Sequence, residues 1–126
     1  MRLLPSLLCG AAVVVSVLAP PVAVADDQLA ASMCDYVAAD DKNRLRKVLS
    51  DYRLRLRNIY DGVVCNGENM VRYAFKSNAA DVGEFIVKQL PASSINGSGD
   101  IAWAEANGFG ASPLLAVLKA RAGDGD

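Results

Sequence analysis

The sequence predicts a small, mainly α-helical single domain of packed helical hairpins, held by one disulfide. Three observations predict it. Two apolar stripes recur at helical spacing, Leu45, Val48, Leu49 and Tyr52, then Val82, Phe85, Ile86 and Leu90. Turn dipeptides at Asp61-Gly62, Asn66-Gly67 and Asn107-Gly108 cut the remainder into short pieces. Two cysteines, Cys34 and Cys65, remain once the N-terminal segment is set aside.

That segment reads as a secretory leader. Arg2 supplies a short basic start, Leu3 to Leu18 an apolar run, and Ala23-Val24-Ala25 the small-x-small pattern before Asp26. Cleavage is expected between Ala25 and Asp26. A membrane anchor fits less well, because Pro20 and Pro21 break a run that is short for a span. A lipoprotein reading of Leu8-Cys9 fails because the residue before the acceptor cysteine should be small. The expected organisation is a leader over 1–25, a helical domain over 26–122 and a polar, disordered tail over 123–126.

The mature chain carries 12 basic against 14 acidic residues, a balance that demands no partner of either sign. No second long apolar segment follows, so no stable membrane insertion is expected after cleavage. In an oxidising compartment an even pair of cysteines is expected to join. A Cys34–Cys65 bridge would close a loop of about 30 residues, worth roughly 3–4 kcal/mol in the chain-entropy account.

Asp26 to Ala31 reads as a polar, frayed lead-in, and Ala30 to Ala39 as a first helix with Met33, Tyr36 and Val37 on one side. Asp40-Asp41 forms a turn and an N-cap for the helix carrying the first stripe. Beyond Tyr52 two templates compete. Leu56, Ile59 and Tyr60 continue the helical stripe, whereas Tyr52 to Arg57 alternates with the period of a strand. The extended reading is preferred near 53–58. A third helix is expected over Glu68–Lys76. Asn78 is expected to cap a fourth, which Pro91 ends. Ala92 to Gly99 reads as a loop, Ile101 to Ala106 as a short segment holding Trp103, and Ser112-Pro113 as the start of a last helix.

A similarity at an offset of 37 residues pairs Met33-Cys34-Asp35-Tyr36 with Met70-Val71-Arg72-Tyr73, and Leu45, Val48 and Leu49 with Val82, Phe85 and Ile86. It is either an ankyrin-like pseudo-repeat or the chance alignment of two amphipathic hairpins.

The absence of histidine removes the usual general base and the Ser-His-Asp and Cys-His arrangements. Two distant cysteines build neither a zinc site nor a redox Cys-x-x-Cys. Asp40-Asp41 fits capping rather than catalysis. No catalytic residue, metal ligand or cofactor is therefore assigned, and no enzyme activity is expected.

Charge is the sharper signal. Residues 42–60 carry a net +6 and residues 26–41 a net −5. Either the acidic lead-in covers the basic face, or Arg53, Arg55 and Arg57 form a row that binds an anionic polymer, a glycolipid phosphate or a protein. Nucleic acid is not expected, since no aromatic residue interleaves that row.

The stretches Asp40-Asp41-Lys42-Asn43-Arg44-Leu45-Arg46-Lys47 and Tyr60-Asp61-Gly62-Val63-Val64-Cys65-Asn66-Gly67 resemble a family of small exported proteins of Gram-negative bacteria, known only as a domain of unknown function. Cys65-Asn66-Gly67 ahead of a helix is its most specific part, and the likeness covers about Met33 to Leu90. The resemblance implies a periplasmic address and carries over no functional residue. The expected role is a non-enzymatic interaction module with a protein partner in the cell envelope. An anion binder, or an enzyme with an unidentified carboxylate, is the alternative.

Overall fold

The computed structural model describes residues 21–124, with side chains from Asp27 onward. Residues 1–20 of the expected leader lie outside the described residues. The expected cleavage point, Ala25–Asp26, falls within the first helix, α1 (Pro21–Ala38). Then follow α2 (Lys42–Asp51), α3 (Leu56–Ile59) leading into a 3-10 turn at Tyr60–Gly62, α4 (Met70–Lys76), α5 (Ala80–Gln89), α6 (Ala92–Ser98), α7 (Asp100–Ala106) and α8 (Pro113–Ala122). The architecture is mainly helical, as the stripes require.

The lead-in is helical rather than frayed. Leu29 and Ala30 pack half-buried against the core on the same face as buried Met33 and Val37, which extends α1 beyond the expected start. In α2, Leu45 and Leu49 are buried and Val48 is half-buried, but Tyr52 caps the helix and is 60 % exposed. The stripe therefore stops one turn early. Asp41 caps α2 as expected, accepting the Arg44 N–H at 3.0 Å.

The segment after Tyr52 is neither a strand nor a continuous helix. Arg53 adopts the left-handed conformation (φ 54°), and the Leu54 N–H returns to the Leu49 carbonyl at 2.8 Å. Arg55 is extended, and Leu56 then starts the short α3. An i→i−5 bond beside a left-handed residue is the helix-closing motif of Schellman type. It recurs in the Asp41–Tyr36, Ala79–Ala74 and Phe109–Ala104 bonds, beside Asp40, Asn78 and Gly108. The hairpins α1/α2, α4/α5 and α7/α8 thus share one way of turning. Their left-handed residues lie 38 and 30 positions apart, so the hairpins are not units of equal length.

α5 sits at the centre, touching α1, α2, α3, α4 and α8. Val82, Ile86 and Val87 are fully buried in it. A Cβ at Gly83 would stand 2.6 Å from Leu114 Cδ2 and 3.2 Å from Ala74 Cβ. Glycine here lets α8 and α4 approach α5 closely. Asn78 does not cap α5. It occupies the left-handed turn, and the Val82 N–H is taken instead by the Asp40 carboxylate at 2.8 Å.

The expected 92–99 loop is the helix α6. Its Ser, Asn and Gly residues oppose helix formation locally, but burial of Ala92 and Ile95, with packing on α7 and α8, overrides them. Ser112 caps α8, accepting the Leu114 N–H at 3.2 Å.

Cys34 of α1 is bonded to Cys65, with Cα atoms 5.5 Å apart. Cys65 lies at the start of a tight turn in which Cys65 and Glu68 exchange both backbone hydrogen bonds. The central residues, Asn66 (φ 53°) and Gly67 (φ 81°), both have positive φ, as a type I′ turn demands. Asn-Gly supplies that geometry at low cost, so the Cys-Asn-Gly sequence presents Cys65 to α1 and delivers the chain to α4.

Candidate functional site

A groove of about 720 Å³ has six cationic side chains among its lining residues and no carboxylate. Three parts of the chain build it. α2 presents Asn43, Arg46, Lys47 and Ser50, spaced three, four and seven apart on one helical face. The 54–57 segment adds Arg55 and Arg57. The end of α5 contributes Phe85, Lys88 and Gln89, and α8 contributes Arg121. Leu49 and Leu56 are buried beneath, with Leu54 and Phe85 half-buried.

The cations are not equivalent. Lys47 pairs with Asp51 and Lys88 with Glu84, each at 2.8 Å. Those bonds hold the Lys47 ammonium above, and the Glu84 carboxyl below, their ordinary ranges. Arg121 donates from Nε to the Leu90 carbonyl at 2.8 Å and faces Asp124 at 3.6 Å. The side chains of Arg46, Arg55 and Arg57 make no hydrogen bond or ion pair among the described residues and are exposed. The structure therefore divides the predicted row. Arg55 and Arg57 line the groove, whereas Arg53 lies in the turn after α2 and does not.

Among the described residues, the acidic segment places no carboxylate in the groove lining. Asp41 caps α2 and faces Arg44, and Asp40 caps α5. Asp27 and Asp35 are exposed. The other groove cations, Arg46, Lys47, Lys88 and Arg121, carry no site assignment from the sequence, because they meet only through the packing of α2, α5 and α8.

A second polar cluster is buried between α4 and α7. Asp100, 2 % exposed, accepts from Arg72 Nε at 2.7 Å and Asn69 Nδ2 at 3.1 Å. Arg72 also donates to the Ser98 carbonyl at 3.2 Å and stands 5.0 Å from the centre of the Trp103 ring. Trp103 stacks on Phe109, and both contact Phe75. With both charges met by partners, this cluster ties α4 to α7. Nearby, the buried Tyr60 hydroxyl accepts the Val71 N–H at 3.1 Å, and burial drives its proton dissociation well above the ordinary phenol range. No cluster of three or more metal-ligating side chains occurs, and no helix is long and apolar enough to cross a membrane, among the described residues.

Comparison with known proteins finds a family model described as a protein of unknown function (DUF3718), matching residues 33–96. The match runs past Leu90, where the sequence resemblance stops, and takes in most of α6. No curated protein and no solved structure matches. With half of its length covered, including α2, the 54–57 segment and α5, the chain belongs to the DUF3718 family of proteins of unknown function.

Proposed function

We propose that this protein is an exported, non-catalytic binding module of the bacterial cell envelope, and that its ligand is a phosphate-bearing anion held in the basic groove. The observation that carries the reading is the convergence of Arg46, Arg55 and Arg57, none with a carboxylate partner, on one concave surface. A guanidinium presents a planar fork of donors that matches phosphate oxygens two at a time. Lys88 of α5 and Arg121 of α8 add cationic charge to the lining, and the surrounding field raises the local anion concentration.

The leader-like N-terminus and the Cys34–Cys65 bridge support an oxidising location outside the cytoplasm. An anionic ligand is preferred to a protein partner because the groove is concave and charged, whereas stable protein interfaces centre on buried apolar and aromatic anchors.

The test is titration of the purified chain with inorganic polyphosphate, beside a variant carrying Arg46→Ala, Arg55→Ala and Arg57→Ala. We expect saturable binding that weakens at least tenfold in the variant and falls as salt rises. Unchanged affinity in a folded triple variant overturns the reading. Arg53→Ala should leave binding near wild type, since Arg53 stands outside the groove.

A further inference from the structure

A second cavity, of about 270 Å³, adjoins the basic groove and differs from it in chemistry. Leu29 and Met33 of α1, Ile59 of α3 and Val63 wall it, and Asn58 is the only polar side chain on its lining. One residue lines both cavities, Leu54. Its placement follows from the backbone. The left-handed turn at Arg53 and the bond from the Leu54 N–H to the Leu49 carbonyl pin the chain, and extended Arg55 follows at once. In extended backbone, neighbouring side chains point to opposite sides. The half-buried Leu54 side chain thus stands where the charged and the apolar surfaces meet.

We infer that the groove's ligand is a single-chain anionic amphiphile, a monoacyl or monoalkyl phosphate, whose headgroup sits among Arg46, Arg55 and Arg57 and whose chain crosses Leu54 into the apolar cavity. This rests on the anion-binding reading above and narrows it. Two complementary surfaces in contact carry the inference. The cations select a negative head, and an apolar chain entering the cavity leaves water for apolar contact. A purely ionic ligand would use only the first surface, and a neutral lipid only the second.

The test compares three ligands on the purified chain by calorimetry, each below its micelle concentration. They are monododecyl phosphate, methyl phosphate with the same head, and dodecyl maltoside with the same chain. Monododecyl phosphate should bind at least tenfold more tightly than either of the others. Leu29→Ser should erase most of that preference. Ala30 also lines the cavity, and Ala30→Trp, which fills the space without removing a core side chain, should do the same and leave polyphosphate binding intact. Equal affinity for monododecyl and methyl phosphate overturns the inference, and so does maltoside binding as tightly as the phosphate. Retention of the preference in both variants, or binding only to anionic vesicles and never to the monomer, also overturns it. The polyphosphate titration keeps the two readings apart: polyphosphate binding without chain preference removes the amphiphile alone, and loss of all anion binding removes both.

Discussion

The Asp40 carboxylate accepts the Val82 N–H at 2.8 Å across 42 residues of sequence. The α1/α2 turn therefore caps the helix at the centre of the fold. Asp40 does this from a left-handed backbone (φ 55°), a conformation that Asn and Gly also tolerate. Asp40→Asn should retain most of the stability. Asp40→Gly should lose about 1 kcal/mol with the cap. Asp40→Ala should lose more, since it gives up the cap and strains the backbone. Urea unfolding of the three variants checks the order; a loss in Asp40→Gly no greater than that in Asp40→Asn would show that the cap contributes nothing.

Arg72 and Asp100 tie α4 to α7, with side chains 26 % and 3 % exposed. Removing Arg72 leaves the buried Asp100 carboxylate with Asn69 as its side-chain donor and no opposite charge. Arg72→Met should cost about 3–5 kcal/mol. Asp100→Asn, which retains an acceptor for Arg72, should cost less. Tryptophan fluorescence gives an independent readout, because Arg72 lies over the Trp103 ring. An emission maximum unchanged in folded Arg72→Met would contradict the described contact.

Burial raises the Tyr60 phenol above its unfolded value of 10.0, so folding favours the neutral form. The stability it contributes is complete below that pH and is lost as pH climbs from there towards the higher folded value. Unfolding midpoints should fall steeply above about pH 10, and one tyrosine should ionise only as the protein unfolds. Tyr60→Phe should remove that component of the slope. At neutral pH it should cost about 1–3 kcal/mol, because the Val71 N–H loses its acceptor. Alkaline denaturation followed by tyrosinate absorbance tests both statements.

What the sequence disclosed and what it concealed follow from the range of the forces involved. Met33, Val37, Leu45, Leu49, Val82 and Ile86 were legible, because burial on one face of a helix imposes its period on neighbouring residues. The Cys34–Cys65 pairing was legible from the count. α6 was not, since the local preferences of Ser93, Ser94, Asn96 and Gly97 oppose a helix that the burial of Ile95 rewards. The Tyr52–Arg57 alternation misled for the opposite reason. Its period was real, but the backbone turned at Arg53 and became helical at Leu56. The α5 and α8 side of the groove could not be read at all, because Lys88 and Arg121 arrive from distant helices and no local spacing marks them.

The covalent ring closed between residues 34 and 65 encloses α2 and the 54–57 segment but excludes Lys88 and Arg121. Arg46, Arg55 and Arg57 therefore stay tethered to α1 by the bridge even where the rest of the fold opens. Reduction of the Cys34–Cys65 bond removes that restraint from the unfolded chain, and the three guanidiniums are then no longer held near α1.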